Sequence, residues 1–458
     1  MIVYPTEEIR AQLQLVQDAY GGGGGFANGG HLFKYPREQD FTTRQSMAYY
    51  INYLKPIVDS KVQPVFTIEP QREFNDATGL VDAFLLDADN NSTSLSDLVK
   101  SATLQTVLKG NGFLIVDNFK LENIPQSLAD TIEQRKYPFV YEKQCEDIYK
   151  YELDDFGKLL NISFFYGMYT PENSSDEVYL YKRFTKTEIE HFYVEQKLTQ
   201  KVTTERMTTV HKSSHTLGIV PVAYYNRDIV PLPPTYYSLA TLARSIYNSS
   251  SEIQDLQRAQ SFNILLIPST TPGQDAQDNL VLSAHNALFF DSDAKNKPEY
   301  ISPDSAIQTV NQAILDKQLS TMLNQADVLG TSVETTSTGS GIAEAYKFFA
   351  KKQALLESSV IASNLDKQVM NLFSLFTGSD YKYEVEYNKS FAPTFAENKQ
   401  QIESLEAVGN MNISPTVTAM VNATIVEIVS ETMEWKPEEL ETALGSITEK
   451  QEVENGLE

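Results

Sequence analysis

His211 and His215, in the run HKSSHT, stand four residues apart. On a helix that spacing would turn two imidazoles toward one metal ion. The run precedes Gly218 and Pro221, however, and reads as a loop leading into a strand with no nearby carboxylate to complete a site. A structural or solvent-facing pair is therefore expected. Asp154 with Asp155, and Asp291 with Asp293, are spaced for acid/base work or cation binding. Neighbouring acids in turns more commonly cap backbone N–H groups, which is the expectation here. Gly21 to Gly25, followed by Phe26, has the texture of a phosphate loop but lacks the Lys and following Ser or Thr that engage phosphate and magnesium. It reads as a flexible connector. Cys145 is the single cysteine, so no internal disulfide is available, and with no His/Cys cluster around it a buried thiol in a reducing compartment is expected. HExxH, Walker, EF-hand, GxSxG and dinucleotide patterns are all absent, so neither catalytic residues nor a metal or cofactor site is expected.

Composition narrows the function classes further. The 458 residues suffice for two or three domains with a sizeable core, and 25 Tyr and 23 Phe supply bulky side chains for cores and interfaces. The start, MIVYPTEEIR, lacks the basic and apolar regions of a secretory signal, and no apolar run reaches membrane-spanning length. A cytoplasmic origin is expected, and the acceptor-like Asn161-Ile-Ser163 then carries no glycan. A formal charge of −24 argues against a conventional nucleic-acid binder, which needs basic patches to displace counterions from phosphate. An acidic wall still suits a polyanion that must slide past without sticking, although solubility alone is the simpler reading.

Apolar periodicity predicts helices over 6–19, over 40–61 with a kink at Pro56, and over 94–108, the last stopped by Gly110-Asn111-Gly112 before a strand at 113–116. From 137 to 225 short segments rich in Tyr, Phe, Ile and Val predict an antiparallel sheet, with Thr185 to Glu188 as a hairpin turn. The prolines of DIVPLPP, 228–234, mark a boundary. Helical spacing resumes over 235–262, strand character over 264–302, and helix again over 304–328. A polar stretch without basic residues, 330–341, then leads into a helix over 342–376, about 50 Å long at the usual rise. Tyr381, Tyr383, Val385 and Tyr387 alternate as one face of a strand expected to rejoin the earlier sheet. Helices near 398–408 and 415–433 precede an acidic end, expected to fray beyond Gly445.

This order resembles the portal, or head-to-tail connector, proteins of tailed bacteriophages. The resemblance is carried by HTLGIVPVAYYNRD at 215–228, PPTYYSLATLARSIYNSSSEIQDLQRAQSFNILLIP at 233–268 and GSGIAEAYKFFAKKQALLESSVIASNLDKQVMNLF at 339–373. It implies an α+β, portal-like fold. A wing of helices plus antiparallel sheet would occupy 1–230, with 380–400 returning to it, and stem helices would occupy 235–262 and 304–328. A small α/β clip would fall at 264–302, a tunnel loop at 330–342, a long wing helix at 343–378, and a helical crown with an acidic tail at 410–458. The resemblance further implies a homo-oligomer, a dodecameric ring at one capsid vertex of the virion, assembled in the host bacterial cytoplasm. Its partners would be the major capsid protein, scaffold, terminase and head-tail adaptor, with double-stranded DNA passing through the channel without sequence-specific binding. The packaging ATPase belongs to the terminase, in keeping with the missing nucleotide motif.

On that reading the DNA-facing constriction is Thr331, Ser332, Val333, Glu334, Thr335, Thr336, Ser337, Thr338, Gly339 and Ser340, whose only charge is Glu334. A loop free of Lys and Arg can approach DNA without gripping phosphate. Without the resemblance it would be an ordinary surface loop. Two other classes stay open. One is another homo-oligomeric virion scaffold or adaptor protein built on a coiled coil, although 342–376 keeps no clean heptad. The other is a glycan-binding protein or enzyme with a site assembled from scattered Tyr and acidic residues.

Overall fold

The computed structural model describes residues 2–36, 38, 40–76, 78–118, 127–171, 177–199, 202–230, 233–260, 264–269, 287–291, 299–301, 305–328, 341–389, 402, 405–406 and 415–432. The chain divides into two units, 1–389 and 390–458. The first unit is α+β, as expected.

After a two-residue strand, β1 (Ile2–Val3), helix α1 (Glu7–Gly21) starts where the Thr6 side chain accepts the Ile9 N–H, with Glu7 and Glu8 favoured by the macrodipole. It stops at Gly22, which adopts the left-handed conformation. The glycine run is no slack connector. It folds into a short helix, α2 (Gly24–Ala27), where a Cβ on Gly24 would stand 2.2 Å from the Asp18 carboxylate. The single helix expected over 40–61 is two, α3 (Phe41–Met47) and α4 (Leu54–Val62), because Ala48 turns extended between them. Pro56 lies in the first turn of α4, where its missing N–H leaves no bond unmade, so it helps to start a helix instead of kinking one.

Strand β2 (Gln71–Glu73) and helix α5 (Leu80–Leu86) lead to α6 (Leu95–Lys109), capped by Ser94 and ended by Gly110, and then to the fully buried strand β3 (Gly112–Asp117). A Cβ on Gly112 would come within 2.4 Å of the Ala102 carbonyl oxygen, which explains glycine where α6 crosses β3. Helix α7 (Leu128–Glu133), with a Ser127/Asp130 capping box, precedes β4 (Phe139–Gln144), β5 (Ile148–Leu153), β6 (Leu159–Tyr169), β7 (Val178–Thr185), β8 (Glu188–Thr199), β9 (Val202–Ser214) and β10 (Val222–Ala223).

These strands form two sheets where one was expected. Six run antiparallel in the order β1-β5-β6-β7-β8-β9, and β3 lies between β10 and β4 in a second sheet. The hairpin at 185–188 is as expected, with Thr185 Oγ1 accepting the N–H groups of Thr187 and Glu188. HKSSHT is not a loop: His211 lies within β9, and only His215 follows the strand. On one face of the six-stranded sheet Ile162, Phe164, Phe184 and Ile189 meet Phe113, Ile115 and Leu13 in the main core. Burying side chains of this size contributes about 1.5–3 kcal/mol each.

Beyond the prolines comes α8 (Tyr237–Gln260), then β11 (Ile264–Ser269), β12 (Ala287–Asp291) and β13 (Glu299–Ile301). Central β11 runs parallel to β12 and antiparallel to β13, a small mixed sheet inserted between helices. Helix α9 (Ser305–Val328) follows, then α10 (Gly341–Thr377), ended by the left-handed Gly378. Strand β14 (Glu384–Glu386) has the expected faces, with Tyr381, Val385 and Tyr387 buried and Lys382, Glu384 and Glu386 exposed. It does not rejoin the earlier sheet but pairs with β2, well away in sequence. The second unit contains α11 (Pro415–Thr432), opened by proline as expected. The helix expected near 398–408 lies almost wholly outside the described residues, as does the acidic end.

Candidate functional site

The sequence placed function in Thr331 to Ser340, all of which lie outside the described residues; the structure fixes their flanks, with α9 ending at Val328 and α10 starting at Gly341. The elements before and after them in sequence are helices. Helix α8 turns Leu239, Ala243, Ile246, Tyr247 and Ile253 into the core, as its spacing predicts. Helix α9 packs beside α8, where Gln318 Nε2 donates to Ser245 Oγ at 3.0 Å and Met322 and Ala326 are buried. Further toward its N-terminus the apolar stripe of α9 is bare: Val310 is 58% and Ile314 48% exposed.

Helix α10 is held quite differently. Its Asp366 carboxylate, fully buried, meets Arg72 Nη2 of β2 at 3.0 Å and accepts hydrogen bonds from Tyr383 and Tyr387, both at 2.6 Å. Arg72 Nε completes the set with the Tyr383 hydroxyl at 2.8 Å. Burial pulls the guanidinium pKa down, but the Asp366 charge and hydrogen bond together with the two tyrosines outweigh it, and Arg72 is held above its ordinary value. Burial first, and then Asp366, push both tyrosines well up, so the hydroxyls stay protonated and donate. Sequence reading found none of this, because the ion pair spans 294 residues and no local pattern marks either member.

Of the other candidate groups, Asp154, Cys145, His211 and Asn161 have structural partners. Asp154 accepts the N–H groups of Lys158 and Phe156 in a turn, and those bonds hold its carboxyl below the usual range. Asp291 ends β12, and Asp293 lies outside the described residues. Cys145 is buried, donates to the Asn111 carbonyl at 3.2 Å, and has its thiol pushed up to about 12 by desolvation. His211 lies opposite His191 on β8, the rings stacked with centroids 6.0 Å apart. His215 instead lines a cavity of about 320 Å³ with Asp117, Ser213, Leu375 and Phe376. Asn161 donates to Glu152 Oε2 at 2.7 Å. In the glycine run, Asp18 Oδ2 accepts the Gly25 N–H at 3.1 Å and stands 2.9 Å from His31 Nε2, a local brace rather than a phosphate cradle. Among the described residues no three His, Cys, Asp or Glu side chains converge as a metal site, and no helix is long and apolar enough to cross a membrane.

No protein-family model matches this chain, and no curated protein matches it either. Among solved structures it is similar to a chain described as the neck of an empty GTA particle computed with C6 symmetry. The TM-score is 0.39 and the identity 11%, over 89% of this chain and 91% of that one.

Proposed function

We propose that this protein is the subunit of a phage portal ring, a structural channel component and not an enzyme. The observation that carries the reading is the helix pair α8 and α9. It brackets a small mixed sheet and leaves the apolar stripe of α9 uncovered at Val310 and Ile314. A helix that exposes such a stripe in the single chain gains a partner when a heterologous contact, repeated by rotation, closes a ring. In the proposed assignment α8 and α9 are the stem, β11 to β13 the clip, α10 the long wing helix and α11 part of the crown.

On this reading about twelve copies close into the ring. It stands at one capsid vertex, docks the terminase while DNA is packaged and the head-tail adaptor afterwards, and contacts the capsid protein and scaffold during assembly. Residues Thr331 to Ser340 form the constriction around double-stranded DNA. Their lack of basic groups and the charge of −24 leave the polyanion free to slide.

Mass photometry with negative-stain microscopy tests the proposal. Closed rings with a central hole, lost when Val310→Asp and Ile314→Asp are combined, are expected. A wild-type protein that stays monomeric or dimeric at the highest attainable concentration would overturn it.

A further inference from the structure

One segment of the first unit allocates its side chains the wrong way round for a monomer. Around 33–51 the chain exposes Phe33, Tyr35, Met47, Tyr49 and Ile51, with Phe33 68% and Tyr49 59% accessible. It is not loosely attached. The Phe33 N–H donates to Asn248 Oδ1 at 2.7 Å, the Tyr35 hydroxyl to Glu252 Oε1 at 2.8 Å, and Arg258 bonds Asp40 at 2.5 Å. Buried Arg44 ties Glu38, at 2.6 Å, to Ser251 of α8, at 2.9 Å. Polar groups therefore fasten this strap to α8 while its apolar groups face out, already ordered.

We propose that the strap is the second half of the contact between neighbouring copies, receiving the bare Val310 and Ile314 stripe of α9 from the next subunit. The proposal rests on the ring reading and adds to it the surface that α9 meets. A ring-closing contact joins two unlike patches of one subunit. The strap and α9 are such a pair, bound to different α8 residues: Asn248, Ser251, Glu252 and Arg258 against Ser245.

Charge selects the same two places. Copies carrying −24 each repel over most of their surface, so they approach where acidic groups are missing. Of the chain's 61 acidic residues the strap carries two, Glu38 and Asp40, bonded to Arg44 and Arg258; none falls between Phe41 and Val58, and no charged residue of either sign falls between Ser305 and Leu315. A strap-to-strap contact would instead be isologous and would stop at a dimer.

The buried, unreactive Cys145 allows exposed cysteines to be read individually. Full-length Met47→Cys and Ile314→Cys chains are mixed, assembled and treated with a short bis-maleimide. Covalent dimers are expected in the mixture and not in either variant alone. A second pair of changes, Tyr49→Ser with Ile51→Ser, is expected to raise the concentration at half-assembly on the order of tenfold while the monomer melts as before. Rings that form normally but give no 47-to-314 product, or only 47-to-47 product, would overturn the strap proposal and leave the ring standing. If wild type forms no ring, both fall together.

Discussion

Along the described part of α10, Leu355, Ile361, Leu365, Val369 and Phe373 are buried within the chain, with Val360 and Leu375 left partly exposed, and Asp366 is locked to Arg72 and two tyrosines. Along α9, among described side chains, only Met322 and Ala326 reach burial, while Val310 and Ile314 stand in water. Both helices read alike in sequence, with apolar residues at helical spacing. The difference teaches that periodicity states that a face must be covered without stating by what. A helix fixed by a buried polar network is committed to its own chain, because breaking such a network leaves charges stranded in a low-dielectric interior.

The largest effect should therefore come from α10. Asp366→Ala leaves Arg72 and two tyrosine hydroxyls without their acceptor, and a loss of about 3–5 kcal/mol is expected in urea unfolding of the monomer. A loss under about 1 kcal/mol would mean that water replaces the carboxylate and that the network does not hold α10. Next comes a matched pair. Leu365→Ala, at a fully buried site, is expected to cost about 2–5 kcal/mol, whereas Leu319→Ala, half-buried on α9, should cost well under that in the monomer. Equal costs would erase the contrast. If α9 is covered only in the assembly, the Leu319 variant should lose more stability in the ring than in the free subunit, which differential scanning of both forms would measure.

How much of this was legible follows from the range of each signal. Local devices read correctly: the helix starts near Thr6 and Ser94, the stop at Gly110, the hairpin at Thr185, and the limits of α8, α9 and α10 to within a few residues. Each depends on neighbours within a turn. Failures came where a distant partner decided the outcome. Val385 sits opposite Arg72 and not in the sheet beside it in sequence, and the helix expected over 40–61 breaks after Ala48, where Tyr50 and Asn52 donate to the Ala19 and Tyr20 carbonyls of α1. Strand β9 went unread despite its Thr and Val content, since its polar run lacks an apolar alternation and takes its register from β8. The constriction is proposed from family resemblance alone, as its residues carry composition but no chemistry.

The smallest expected effect lies at the C-terminal end of α10, where Leu375 and Phe376 share a cavity with His215. Burial depresses the His215 pKa below its ordinary 6.5, against the smaller opposing pull of the Thr185 backbone and the Asp117 and Glu188 charges. The unfolded chain then binds more protons than the folded one just below that value. Stability should accordingly fall as pH drops through about 6.5 and level off once the folded-state pKa is passed. His215→Gln, which cannot titrate, should flatten that slope between about pH 7.5 and about pH 5.5 while the helix contacts at Leu375 and Phe376 persist. Identical slopes in the variant and the wild type would show that the imidazole is hydrated in the fold. The acid sensitivity of the subunit would then belong to the carboxylates, and the end of α10 would be as open to water as the bare face of α9.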